Sequence, residues 1–422
     1  MNFFKTSLLS GLSTVIKLLS GLIVNKVVAV YIGPAGIALI GQFQNFLSII
    51  TTFGNGAISS GVTKYVAEFH ETDIKRRNDF ISASFIITFI FSVICGVLLF
   101  LGSSFLSEWI LKTVEFSKVF KLLGITLILI SFNIILLSII NGIKKIKLFI
   151  AINICSSILS LFVTSFLTIF TGLFGALLSM IIVQSIVIVI TLPLVKKKLD
   201  LQFNMNIHIE KEIFKKLLAF SLMAIVSVLS VSISQIAIRN HLIKEFSLEE
   251  AGRWQSVWMI STMYLMVMTT AFSTYYLPKL SELQESSEIR KEIFSGYKII
   301  LPFTLITALM IYFLRDFIIT ILFTPEFIEM RSLFAFQLIG DFLKMTSWSL
   351  AFLMIAKAMT KTYIITEIIC SISFYIITII LTKNNGLIGV TQAYALNYLA
   401  YLIIMIWLFK STLFKRSELK ND

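Results

Sequence analysis

The chain has 422 residues, 57% of them hydrophobic and only 14% charged, with a formal net charge of +13. A soluble protein of this length needs a far more polar surface, so the composition excludes an ordinary globular fold. Its Lys and Arg residues gather between apolar runs rather than in aromatic-interleaved patches, which argues against nucleic acid and for membrane topology.

Apolar runs near the roughly 20 residues needed to cross hydrocarbon recur from end to end. In chain order the predicted spans are Leu8–Tyr31, Leu39–Ala67, Phe80–Leu101, Leu122–Ile140, Leu148–Phe170, Leu173–Val195, Leu217–Arg239, Trp254–Tyr276, Ile299–Ile319, Leu333–Ile355, Tyr363–Leu381 and Val390–Phe409. A single Lys5 precedes the first apolar stretch and no small-residue cleavage site follows it, so it reads as a span rather than a cleaved signal. Cys95, Cys155 and Cys370 each lie inside an apolar run, so neither a disulfide framework nor a thiolate metal site is expected.

Basic residues concentrate in alternate connections: Lys75 to Arg77, Lys144 to Lys147, Lys196 to Lys198 with Lys211, Lys215 and Lys216, then Arg290 and Lys291, Lys357 and Lys361, and Lys415, Arg416 and Lys420. The intervening connections carry few. By the positive-inside rule the rich side is cytoplasmic, which places both termini there and requires an even number of spans, as twelve is. The expected location is a bacterial inner membrane.

The chain also matches itself at an offset of roughly 215 residues. Ala35-Gly36 aligns with Ala251-Gly252, Lys64 before Glu68 with Lys279 before Glu282, Lys147 with Lys361, and Gly172-Leu173-Phe174-Gly175 with Gly386-Leu387-Ile388-Gly389. An internal duplication of this kind is usual in transporters, and halves with an even number of spans are related by an axis along the membrane normal. The expected organisation is an N-lobe at 1–198, a cytoplasmic linker at 199–216, a C-lobe at 217–410 and a cytoplasmic tail at 411–422. Two six-helix lobes would then face each other across a central cleft.

An ionisable group at mid-bilayer costs roughly 2.5–3.5 kcal/mol on insertion scales, so such groups normally border a bundle interior or a water-filled cavity. Lys17 falls near the middle of the first span, and Asp341 and Lys344 near the middle of the tenth. Lys26, Arg239 and Arg253 lie in the outer thirds of their spans, Lys64 near an inner end, and Glu367 in the inner third of the eleventh. The cations Lys17, Lys26, Lys64, Arg239, Arg253 and Lys344 are the candidate substrate-binding set. Snorkelling of long stems to the headgroups accounts equally well for Lys26, Lys64, Arg239 and Arg253. Asp341 and Lys344, three residues apart, are placed to neutralise each other. Glu367 suits either a coupling proton or an ion pair. Gln42, Asn45 and Gln255 suit either a polyhydroxylated ligand or bonding between helices. His70, His208 and His241 show no ligand spacing, so no metal and no bound cofactor are expected, and no phosphate loop or nucleophile elbow supports an enzyme. A cleft dominated by cations suits a lipid diphosphate, because Lys and Arg can replace the water around phosphate oxygens.

At Ser13-Thr14-Val15-Ile16-Lys17, Gly33-Pro34-Ala35-Gly36, Gly61-Val62-Thr63-Lys64-Tyr65-Val66-Ala67, Leu314-Arg315-Asp316-Phe317, Gly340-Asp341-Phe342-Leu343-Lys344, Ile355-Ala356-Lys357-Ala358 and Gln392-Ala393-Tyr394, the chain resembles the Wzx flippases. These belong to the multidrug/oligosaccharidyl-lipid/polysaccharide (MOP) exporter superfamily, and the resemblance covers essentially the whole chain. It implies an all-α, MATE-like fold of twelve spans. It further implies that undecaprenyl-diphosphate-linked oligosaccharide, an O-antigen or enterobacterial common antigen repeat unit, is turned from the cytoplasmic to the periplasmic leaflet by alternating access. Lys17, Lys26, Lys64, Asp341, Lys344 and Glu367 sit at matching positions, whereas Arg253 falls outside the motif. Implied partners are the lipid-linked glycan and membrane lipid, with a polysaccharide polymerase and chain-length regulator as candidate associates of a monomeric carrier. A proton or another cation is the candidate coupling ion. The alternatives are a drug/cation antiporter of the same superfamily, which calls for an acidic cleft, and a glycan polymerase, which calls for a large exterior loop.

Overall fold

A backbone N–H or C=O in hydrocarbon has no water to bond, so an apolar run must satisfy its own backbone, and a helix does so within one segment. A computed structural model describes residues 3–70, 72–198 and 210–414, and among these it is all-α. Most of the expected linker, 199–209, and the tail residues 415–422 lie outside the described residues, as therefore do His208, Lys415, Arg416 and Lys420. The chain forms two compact units, Met1–Ile233 and Ser234–Asp422.

The first unit contains α1 (Phe3–Gly54), α2 (Ser59–Glu68), α3 (Ile74–Leu101), α4 (Ser103–Leu111), a 3₁₀ turn at Val114–Phe116, α5 (Ser117–Gly142), α6 (Ile146–Lys198) and the greater part of α7 (Lys211–Glu245), as far as Ile233. Its core joins Tyr65 and Val66 of α2, Phe80 of α3 and Ile139 of α5 to Ile213 and Leu217 of α7. The second unit contains the remainder of α7, α8 (Leu248–Ala271) running through a π-helical turn at Phe272–Tyr276 into α9 (Leu277–Glu282), and α10 (Ser286–Leu322). A 3₁₀ segment at Pro325–Leu333 then leads to α11 (Phe334–Ala356), α12 (Thr360–Asn385), α13 (Ile388–Leu408) and α14 (Lys410–Phe414). Outward positions are apolar, Leu101 and Phe313 being 76% and 77% exposed. That inversion of the soluble pattern is what lipid as solvent demands.

Nine helices among the described residues are long and apolar enough to cross a membrane. Two of them, α1 and α6, are pairs of helices meeting at a broken residue, Gly33 (φ 71°) and Gly172 (φ 57°). Both breaks fall between spans read separately from the sequence. The second expected span, Leu39–Ala67, is shorter than its apolar pattern: the helix stops at Gly54, Gly56 and Ala57 adopt positive φ, and Ser59–Glu68 restarts as α2. The Gly54-Asn55-Gly56 run supplies the turn chemistry that ends it. Lys64 therefore stands on α2 rather than at the end of a span.

The internal repeat is visible in local geometry. Gly172 (φ 57°, ψ −135°) and Gly386 (φ 65°, ψ −152°) adopt the same backbone conformation, open to glycine and strained for other residues. Three residues on, Gly175 packs against the backbone of Leu167 and Gly389 against that of Leu381, so the chain doubles back identically in each unit. The turns after α5 and α11 also correspond. Lys144 N–H donates to Asn141 O and Lys145 N–H to Ile140 O, as Ala358 N–H does to Ile355 O and Met359 N–H to Met354 O. Lys144 and Ala358 both have positive φ, at 58° and 53°.

Two mechanisms can be separated at one turn. Gly172 has open space for a Cβ but a forbidden φ, so Gly172→Ala should cost about 1–2 kcal/mol through backbone strain alone. A Cβ on Gly175 would lie 2.1 Å from Leu167 O, so Gly175→Val should cost at least as much, about 2–3 kcal/mol, through overpacking. Melting midpoints in one detergent measure both.

Candidate functional site

The polar groups of the second unit are set by three helices that carry them at helical spacing. Gln337, Asp341, Lys344 and Trp348 follow a 4-3-4 spacing on α11, Trp254, Trp258 and Ser261 a 4-3 spacing on α8, and Tyr394, Tyr398 and Tyr401 a 4-3 spacing on α13. Each series lies on one helix face, and the three faces meet.

Asp341 is fully buried. Its two carboxylate oxygens accept separate hydrogen bonds, from the Tyr264 hydroxyl of α8 and the Tyr394 hydroxyl of α13, each at 2.9 Å. A carboxylate in hydrocarbon needs such donors to replace its water. Gly340 makes the arrangement possible, since a Cβ there would fall 2.2 Å from the Tyr394 ring.

Lys344, one turn further on, is 8% exposed and does not close an ion pair with Asp341. Its ammonium nitrogen lies among four aromatic rings instead: 4.6 Å from the centroid of Trp348, 5.4 Å from Trp258, 5.5 Å from Tyr398 and 5.9 Å from Tyr394. Ring quadrupoles stabilise a cation by roughly 0.5–2 kcal/mol each, more when desolvated. Asp341 and the half-buried Glu367 of α12 act on it by charge attraction across a longer gap. No carboxylate comes within 4.0 Å of the Lys344 ammonium among the described residues. Gln337, also fully buried, finds no hydrogen-bond partner for either amide atom there.

The other expected residues distribute differently. Arg239 is fully buried, donates to Gln255 Oε1, and lies 5.6 Å over the Trp254 ring. Burial at this depth is inconsistent with snorkelling. Arg253 ties the start of α8 to the 3₁₀ segment, through ion pairs with Glu250 and Glu329 and a bond to Glu326 O at 3.1 Å. In the first unit Lys17 is exposed and Lys26 half-buried on the first arm of α1. At nine residues' separation they face opposite sides of that helix. On the second arm Gln42 is fully buried and Asn45 half-buried, while Lys64 on α2 is exposed with its ammonium 5.0 Å from the Tyr65 ring.

Among the described residues no group of three His, Cys, Asp or Glu side chains is placed to hold a metal ion. Reading charges alone missed Tyr264, Tyr394 and the rings around Lys344. The 4-3 spacing of aromatic and hydroxyl residues on α8, α11 and α13 is the signal that would have found them.

A fold of paired helical units with charged groups held inside membrane-spanning helices defines a multi-pass membrane transporter. The model of a family described as polysaccharide biosynthesis protein matches residues 13–332, and the chain belongs to that family. It is 29% identical over 413 residues to the lipid III flippase of Escherichia coli (strain K12), covering 96% of this chain and 99% of that one. The lipid III flippase of Shigella flexneri matches to the same extent. Among solved structures, an inward-facing multidrug resistance MATE family transporter of the MOP superfamily superposes with a TM-score of 0.80 at 16% identity, over 95% of this chain and 94% of that one. The lipid II flippase MurJ in an inward closed conformation gives 0.74 at 17%, over 96% and 87%. The fold is thus the MATE-like fold that the sequence motifs imply.

Removing the carboxylate tests the clamp. Asp341→Ala strands the Tyr264 and Tyr394 hydroxyls and should cost about 3 kcal/mol, whereas Tyr264→Phe leaves the carboxylate its Tyr394 donor and should cost about 1 kcal/mol. Thermal midpoints in detergent should fall in that order.

Proposed function

We propose that this protein is a flippase that moves lipid-linked oligosaccharide between the leaflets of a membrane, a transporter rather than an enzyme. The observation that carries this reading is the similarity to the lipid III flippases, which runs over 413 residues and nearly the whole of both chains. Membership of the polysaccharide biosynthesis family supports the same substrate class.

The buried and half-buried charges specify the load further. The glycan is carried on a diphosphate, with undecaprenol as its lipid, and travels from the cytoplasmic to the periplasmic leaflet of the bacterial inner membrane. Unaided, a glycan would have to shed water from many hydroxyls, each at a cost of several kcal/mol. A polar path through the protein removes most of that cost. Lys344 is suited to the diphosphate because its cation–π contacts can be exchanged for charge-assisted hydrogen bonds to phosphate oxygens. Trp258, Trp348 and Tyr398 offer ring faces beside it. Lys17, Lys26, Lys64 and Arg239 supply further positive charge, and Gln42, Asn45 and Gln255 supply amides for sugar hydroxyls, while Arg253 serves as a clasp.

Alternating access moves the load, and a proton or another cation, acting through Asp341 or Glu367, provides the coupling. Twelve crossings follow if each arm of α1 and α6 counts as one and α8 also spans. The alternation of basic connections then puts both termini in the cytoplasm. The carrier works as a monomer beside a polysaccharide polymerase and chain-length regulator.

Flipping of a fluorescent lipid-linked oligosaccharide in proteoliposomes is the test. Lys344→Ala should slow the initial rate by about tenfold or more, the effect of losing one charge-assisted hydrogen bond, and Lys17→Ala should slow it less. Unchanged rates in both variants would remove the cationic site, and protection of cells against cationic drugs with no effect on surface glycan would favour the antiporter.

A further inference from the structure

The first unit has a second feature, remote in sequence from every residue assigned above. On its outer surface α3 and α5 cross at Gly96 and Gly124, so closely that a Cβ on either would fall 2.5 or 2.6 Å from the other's carbonyl oxygen. This contact sinks the two backbones below the surrounding side chains. The result is a cavity of about 300 Å³, walled by Val93, Val97 and Phe100 on α3 and by Ile125 on α5. Those four side chains are 41–62% exposed, so the groove is open along its length.

One end of the groove is cationic. Lys121 lies one turn before Ile125 on the same face of α5, is exposed, and places its ammonium 5.8 Å from the Phe100 ring. It forms no salt bridge among the described residues, although Glu108 and Glu115 lie in the same connection. This end also carries α4, whose Phe105 and Trp109 are 69% and 52% exposed, and Lys112, which donates to Trp109 O at 3.1 Å. Exposed Trp beside Lys marks headgroup depth, with hydrocarbon on the other side of the belt.

We propose that this groove is a binding site for an anionic phospholipid, with one acyl chain laid between α3 and α5 and the headgroup phosphate on Lys121. Apolar walls at hydrocarbon depth take an acyl chain. A cation with no salt-bridge partner at headgroup depth favours a net negative lipid over a zwitterionic one of equal chain length.

Native mass spectrometry of the full chain, with phosphatidylglycerol and phosphatidylcholine of identical chains as probes, tests the site. The wild type should retain phosphatidylglycerol about fivefold over phosphatidylcholine, the ratio expected for one charge near the surface. Lys121→Gln should abolish the preference while still retaining phosphatidylcholine. Val97→Trp should fill the groove and lower retention of both, with Ile125→Trp as a second variant should the first not fold. Flipping of lipid-linked oligosaccharide should proceed normally in Lys121→Gln. Equal retention of the two lipids by the wild type, undiminished retention in both tryptophan variants, or preference for a polyprenyl phosphate over phosphatidylglycerol would each overturn the proposal.

Discussion

A charge taken into hydrocarbon must bring its solvation with it, and the second unit is organised around that requirement. Asp341 and Lys344 share one face of α11, yet each is solvated by the protein in its own way. The carboxylate is met by hydroxyls from α8 and α13 at 2.9 Å, and the ammonium by the faces of four rings. A direct ion pair would satisfy both groups at once and leave neither with anything to exchange. Keeping them apart leaves the lysine buried in contacts weak enough to be traded for a stronger anionic partner.

The same demand explains why helix ends and turns are so specific. Every reversal of the chain frees backbone groups, and within a lipid-facing protein these must be recaptured locally. The turn at Gly172 to Gly175 and its counterpart at Gly386 to Gly389 do this by one device used twice, and the turns after α5 and α11 repeat their hydrogen bonds pair for pair. Duplicated geometry of this detail supports one ancestral unit, and the departures from it carry the chemistry. The Asp341–Lys344 pair has no ionisable counterpart near positions 126 and 129 of the first unit, where Thr126 and Leu129 stand.

Much of this was legible in the sequence. Length and apolarity pointed to the long helices other than α8, and the expected spans part where α1 and α6 break, at Gly33 and Gly172. The short helix α2 was not legible, because Gly61 to Ala67 continues the apolar pattern of α1 and only Gly54-Asn55-Gly56 signals the interruption. At the site, the rarity of charge near mid-span pointed to Lys17, Asp341 and Lys344, while Arg239, in an outer third of its span, suited snorkelling equally well. What each would touch depended on which helix faces meet, and that is a property of packing rather than of any one segment. Arg253 shows the limit well: its sequence position matches Arg239 in depth, but Glu250 and Glu329 claim it for a clasp.

Transport by this route requires Lys344 to meet water and an anionic headgroup. Replacing Cys95, Cys155 and Cys370 by serine, introducing Lys344→Cys, and treating proteoliposomes with a charged, membrane-impermeant thiol reagent measures this directly. Modification of the new thiol, and protection from it by lipid-linked oligosaccharide, is the expected result. A thiol that stays unmodified, with and without that lipid, would contradict it.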